Sequence, residues 1–147
     1  MHVFVTGGTG LIGRSLVKRL VMRGDEVTVL TRQSLTNEHS VTYITDIDQL
    51  ERVADVVVNL AGEGLAEKRW TERYKQKIRA SRVGLTETLV SHLTKMGAPK
   101  VFLSGSAIGY YGASESEQFS EQAPSGVGFG ANLCVDWEQS ARLLDQQ

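Results

Sequence analysis

Short apolar, β-branched runs alternate along the chain with stretches whose apolar residues recur at helical spacing. Residues 3–5, 27–30, 41–44, 56–60 and 101–103 read as five strands, the third the weakest and the second entered through a Gly24-Asp25 turn. Residues 11–22 read as a helix with Leu11, Ile12, Leu16 and Leu20 on one face. Between the fourth and fifth strands, residues 71–96 read as one long helix. Its Tyr74, Ile78, Leu85, Leu89, Leu93 and Met96 make a sheet-facing stripe, and Met96-Gly97 followed by Pro99 closes it. A last helix covers residues 131–144. Strands that are continuously apolar belong to a parallel sheet covered on both faces. Right-handed crossovers then give a doubly wound α/β layer.

Composition narrows the setting without naming a task. A length of 147 residues suits one domain, residues 1–147, with a real core. Hydrophobic residues at 41% and charged residues at 22% are those of a soluble globular protein. A net charge of −1 gives no electrostatic reason to expect nucleic acid or a membrane surface as partner. The single cysteine, Cys134, excludes an internal disulfide and fits a reducing compartment. With no signal-like segment and no long apolar run, the expected location is cytoplasmic. No metal-ligating cluster stands out.

The first candidate chemistry lies between the first strand and the first helix. In TGGTGLIG, residues 6–13, Gly7, Gly10 and Gly13 form G-x-x-G-x-x-G, with Thr9, Leu11 and Ile12 between them. Glycines there allow a tight turn, close approach of a pyrophosphate, and packing of helix on strand. The free N–H groups and dipole of the helix start complete an anion site. A glycine-rich turn without ligand is the competing reading, and the strand-loop-helix setting favours the dinucleotide. At the second strand's end stand Thr31 and Arg32, the latter nineteen positions after Gly13, with no carboxylate adjacent. A guanidinium there suits a 2′-phosphate, which favours NADP over NAD. A solvated arginine at a strand end is the alternative.

SGSAIGYYG, residues 104–112, follows the fifth strand and puts two serines and two tyrosines in nine positions. It reads either as the acid/base end of an active site or as a packed turn. With TGGTGLIG, the Thr31-Arg32 pair, NLAGE (59–63), KRW (68–70) and FSEQAP (119–124), it resembles the extended short-chain dehydrogenases/reductases. The likeness is to their atypical nucleoside-diphosphate-sugar epimerase-like group, over the whole chain. The resemblance implies an NAD(P)-binding Rossmann fold acting as oxidoreductase or epimerase on an unknown small-molecule substrate. It implies that Leu60, Ala61 and Gly62 line the cofactor, that Asp46 and Ile47 sit beside its adenine, and that Arg82 contacts it. It also implies that Ser106 hydrogen-bonds the substrate's reacting oxygen. Asp46 as a loop cap and Arg82 as one more charge on a helix are the plain alternatives. The basic run from Lys68 through Arg73 to Arg82 reads by default as a solvated helix face.

Two departures from the group qualify that expectation. Its chemistry uses a Tyr-x-x-x-Lys pair on the helix after the fifth strand, where lysine lowers the tyrosine's pKa. Those positions fall at about Gly130 and Cys134, and no lysine follows Lys100. Tyr110 and Tyr111 are the remaining proton-group candidates, with packing as their competing role; Cys134 reads as a buried small side chain. The group also runs on through further strands and a substrate domain, so the chain is expected to be truncated before them. An exposed sheet edge then makes a homodimer plausible. A non-catalytic NADP(H)-binding module and an inactive fragment are the alternatives to an enzyme.

Overall fold

The computed structural model describes residues 1–66 and 68–146. Five parallel strands form one sheet: β1 (His2–Thr6), β2 (Glu26–Leu30), β3 (Val41–Ile44), β4 (Val56–Asn59) and β5 (Val101–Ser104), in the order β3-β2-β1-β4-β5. β1 is central, and Val5 lies between Val29 of β2 and Val58 of β4. The five expected strands are present. β4 stops one residue short of Leu60 and β5 extends one residue to Ser104.

Side chains alternate between the two faces of each strand, and each face has its own core. Val3, Val5, Val27 and Val29 pack with Val17 and Leu20 of α1 (Leu11–Met22). Phe4 and Val57 point the other way, against Leu89, Val90 and Leu93 of α3 (Leu85–Met96). α1 has the expected bounds but a different buried face: Gly13, Val17 and Leu20. Leu11 and Ile12 are 85% and 68% exposed. They stand on the first turn, beyond the end of β1, where there is no sheet for them to cover.

The expected long helix is interrupted. α2 (Glu72–Arg79) begins at Thr71, whose hydroxyl accepts from the Tyr74 N–H, and passes through a π-helical turn (Ala80–Gly84) into α3. The wide turn shifts the phase of the apolar stripe. Val83 and Thr86 are buried in its wake and Leu85 only half-buried. Tyr74 and Ile78 therefore do not face the sheet; they pack on Leu133 and Trp137 of α4 (Phe129–Arg142). α4 begins two residues earlier than expected, and a 3₁₀ turn (Leu143–Gln146) replaces its last residues. Gly97, with φ +115°, ends α3 as expected, and its N–H donates to the Leu93 carbonyl.

β5 departs from the expectation of a sheet covered on both faces. Val101 and Leu103 are 45% and 55% exposed, whereas Phe102 turns inward against the α3 core. β5 is an edge strand in the described residues, and no described helix covers its α1-side face. No described helix is long and apolar enough to cross a membrane.

Candidate functional site

The strand order reverses between β1 and β4, and ligands of open α/β sheets bind outside the carboxyl ends at such a point. The glycine loop lies there. Gly7, at φ +70°, is pressed against the exit of β4: a Cβ on it would sit 2.6 Å from the Leu60 carbonyl carbon. Gly13 is tighter, since its Cβ would meet the Gly7 carbonyl oxygen at 2.1 Å. Two of the glycines thus clamp loop, strand and helix together. Gly10 is exposed and caps α1 without a side-chain hydrogen bond, and the first turn carries no acidic residue. Its N–H donates to the Gly7 carbonyl at 3.0 Å, which folds the loop back, and the helix's first turn has no side-chain cap for its N–H groups. Half-buried Thr9 and exposed Leu11 and Ile12 surround that helix start. An anion-accepting backbone cradle with an apolar rim is the result.

Around it, the structure sorts the other candidates by what they already touch. Thr31 is buried, and its hydroxyl accepts from the Gln33 N–H at 3.2 Å, closing the turn after β2. Arg32 reaches outward and pairs with Glu63, Nη1 to Oε2 at 3.2 Å. Asp46 caps the 3₁₀ turn Ile47–Gln49 by accepting from the Asp48 N–H, with Gln49 reciprocating on the Asp46 N–H. The Ile47 side chain is buried in the α3-side core, so it has only backbone to offer a ligand. Leu60 and Ala61 are half-buried beside Gly7, and the Ala61 N–H donates to Thr6 Oγ1 at 3.2 Å.

Arg82 is not on a solvated helix face. Its guanidinium donates to the Glu63 carbonyl at 3.0 Å, lies 5.4 Å from the Trp137 ring centroid, and backs against Gly62. A Cβ on Gly62 would sit 2.8 Å from its Cζ. Burial pushes the Arg82 pKa down, with the charges of Cys134 and Glu63 opposing. The rest of the basic run is mostly exposed, with Lys75 paired to Glu72 and Arg79 to Asp136.

At the β5 end, Ser106 Oγ donates to Glu138 Oε1 at 2.6 Å, and Glu138 also accepts from Arg142. Tyr110 and Tyr111 lie on a 3₁₀ turn (Ile108–Tyr111), their rings edge to face at 5.1 Å; Tyr111 stacks on Phe119 at 5.5 Å. Neither phenol oxygen has a hydrogen-bond partner among the described residues. Both rings are engaged in packing on this side of the crevice. Cys134 is buried, and burial pushes its thiol pKa up.

Three contributors carry no role in the sequence reading. Asn59, buried at the end of β4, accepts from Thr6 Oγ1 at 2.7 Å and donates to Thr86 Oγ1 at 2.8 Å and Ser104 Oγ at 3.3 Å. A lone asparagine in the apolar run VVVNL was the available signal, because a buried amide demands partners. Glu63 meets Arg32 and Glu138 meets Ser106 across long stretches of sequence, and local pattern does not reveal such partners; only the Arg142 contact of Glu138, four residues along α4, is local. Among the described residues no group of histidine, cysteine and carboxylate side chains could hold a metal ion.

Sheet order, crossover pattern and a glycine loop at the switch point define a Rossmann-like α/β domain. Residues 3–130 match the NAD dependent epimerase/dehydratase family, and the chain belongs to it. An epimerase family protein of Mycobacterium bovis is 33% identical over 98% of this chain and 49% of its own length. Human epimerase family protein SDR39U1, solved with NADPH, superposes with a TM-score of 0.83 at 33% identity, over 97% of this chain and 49% of that one. The nucleoside-diphosphate sugar epimerase of Corynebacterium glutamicum gives 0.81 at 31% identity, over 99% of this chain and 31% of that one. The chain spans about half the length of the curated relatives it matches.

Proposed function

We propose that this chain is the NADP-binding domain, residues 1–147, of an epimerase-like oxidoreductase acting on a small-molecule substrate. The observation that carries the reading is the glycine cradle: Gly7 and Gly13 leave no room for a Cβ, and the start of α1 offers uncapped N–H groups to an anion. The residues present fit a dinucleotide. Leu11 and Ile12 would flank its pyrophosphate, Leu60, Ala61 and Gly62 its middle, and Asp46 and Ile47 its adenine end. Arg32 supports a 2′-phosphate, and the NADPH of the human relative's structure supports the same preference. Bound there, the nicotinamide would supply hydride exchange. The chain's part is to hold that cofactor and to orient a substrate oxygen through Ser106, with Tyr110 or Tyr111 as proton group. A reducing, cytoplasmic setting fits the lone buried Cys134, and the exposed β5 edge supports pairing with a second copy.

Titration with NADPH and NADH tests the reading. NADPH is expected to bind more tightly, and Arg32→Ala to remove most of the difference. Absence of binding by either dinucleotide would sink it.

A non-catalytic dinucleotide-binding module is the second reading. It is favoured by the packed Tyr110-Tyr111 pair, the Ser106–Glu138 hydrogen bond, and Gly130 and Cys134 at the positions where the group carries tyrosine and lysine. Transfer of deuterium from labelled NADPH to sugar nucleotides or simple carbonyls separates the two. Transfer supports the enzyme; none, with tight NADPH binding, supports the module.

A further inference from the structure

Arg32 and Glu63 leave the sheet on strands that are not neighbours. Arg32 follows β2, Glu63 follows β4, and β1 with its glycine loop runs between them. Their 3.2 Å ion pair therefore bridges the two strand exits that flank the loop.

The two arms of the bridge differ. The Arg32 side chain is 89% exposed, and Glu63 is its sole hydrogen-bond partner among the described residues. The Glu63 side chain is 20% exposed, and its backbone is pinned at both polar groups. The Glu63 N–H donates to Ser81 Oγ at 2.9 Å, and its carbonyl accepts from Arg82 Nη1 at 3.0 Å. Ser81 and Arg82 sit on the π-helical turn, and Ser81 is itself tied to the Ile78 carbonyl. The carboxylate is the fixed arm and the guanidinium the mobile one.

Dinucleotide folds sort their ligands at the end of the second strand, with a carboxylate for a free ribose diol or an arginine for a 2′-phosphate. Here the second strand supplies the arginine and the fourth strand brings a carboxylate to it. We infer that Glu63 is a specificity-determining residue: it competes with a 2′-phosphate for Arg32 and offers an acceptor to a free ribose diol. NADP preference is thereby held below what Arg32 alone would give. The inference rests on the dinucleotide-binding reading above. An exposed ion pair is worth up to about fivefold in an equilibrium constant, which bounds the effect.

The test is equilibrium binding of NADPH and of NADH, at low and at high salt. It compares the wild-type chain with Glu63→Gln, Glu63→Asp, Arg32→Ala and the double variant Arg32→Ala/Glu63→Gln. Glu63→Gln is expected to tighten NADPH by about threefold to fivefold and to weaken NADH, with the NADPH gain shrinking at high salt. Glu63→Asp, which keeps the charge but shortens the reach to Arg32, should also tighten NADPH and controls for folding. In the Arg32→Ala background the gain should vanish, since there is no guanidinium left to free. An unchanged NADPH-to-NADH ratio in Glu63→Gln would overturn the inference while leaving the binding reading intact. So would a gain that persists without Arg32, which would mean simple charge repulsion. If the wild-type chain binds neither dinucleotide, the binding reading itself fails and takes the inference with it.

Discussion

Asn59 Oδ1 accepts a 2.7 Å hydrogen bond from Thr6 Oγ1, joining β4 to β1 where the crevice opens. The amide nitrogen of Asn59 reaches Thr86 of α3 and Ser104 of β5, and Trp137 Nε1 of α4 donates to the same Thr86 hydroxyl at 3.1 Å. One side chain thus ties three strands and, through Thr86, two helices. Removing it takes the acceptor from the buried Thr6 hydroxyl and a donor from both Thr86 and Ser104, and a buried group left unmet costs about 1–3 kcal/mol. Asn59→Ala is expected to lower the unfolding free energy by about 3 kcal/mol, read from urea denaturation with an unchanged slope. A loss below about 1 kcal/mol would mean that water or rearrangement satisfies the network.

The glycine loop gives a graded test of the cradle. At Gly13 a Cβ would meet the Gly7 carbonyl oxygen at 2.1 Å, whereas at Gly10 the nearest atom, the same oxygen, is 3.2 Å away. Gly13→Ala must push α1 off the loop and is expected to cost about 2–4 kcal/mol and abolish NADPH binding. Gly10→Ala needs only a few tenths of an ångström of adjustment. It is expected to keep most of the stability while weakening NADPH, because its Cβ would stand on the exposed face of the loop, where the proposed cofactor would lie. Thermal melts beside titrations distinguish the two; equal damage to stability would refute the ranking.

How far the sequence foretold this molecule depends on the range of the forces involved. The five strands were legible because apolar β-branched runs are local signals, and the glycine loop because its spacing is fixed by local geometry. The buried face of α1 is not legible in this way: helical periodicity groups Leu11 and Ile12 with Leu20, but the sheet ends before it reaches them. The π-turn at Ala80–Gly84 was illegible, since a one-residue phase shift leaves composition untouched while moving Tyr74 and Ile78 onto α4. At the site, Gly7, Gly10 and Gly13 were readable, whereas Glu63 beside Arg32 was not. No carboxylate adjoins Arg32 in sequence, and the one that meets it arrives from the loop after β4, 31 residues away.

Tyr111 separates packing from chemistry. Its ring stacks on Phe119 and meets Tyr110 edge-on, and the Gly112 N–H after it returns to the Gly109 carbonyl at 3.1 Å. Aromatic pairs of this kind are worth about 0.5–1.5 kcal/mol beyond area burial. Tyr111→Phe is expected to leave stability within about 0.5 kcal/mol, and Phe119→Ala to cost about 1–2 kcal/mol. If the chain transfers deuterium and Tyr111→Phe stops it without altering the melt, the phenol is a proton group after all.

Acid should expose a charge pair at the opposite end of the sheet. Asp55 Oδ1 accepts from Lys100 Nζ at 2.8 Å, and its Oδ2 accepts from the His2 N–H at 2.9 Å, so β4's entry is tied to β1 and β5. The Lys100 hydrogen bond first, and the His2 amide second, hold the Asp55 carboxyl from its ordinary 3.8 down to about 2. The unfolded chain therefore takes up this proton near pH 4, and the folded chain only near pH 2. Stability from the group is complete above pH 4 and is lost as pH falls towards 2. Asp55→Asn removes the titrating carboxyl but keeps an acceptor for the His2 amide. Its urea midpoint is expected below wild type at pH 7 and pH 4, with the gap closing between pH 4 and pH 2. Asp25 and Glu26, held low beside Arg23 and Arg52, titrate in both proteins and cancel in the comparison. A gap that stays constant to pH 2 would show that the Asp55–Lys100 pair contributes nothing to acid stability.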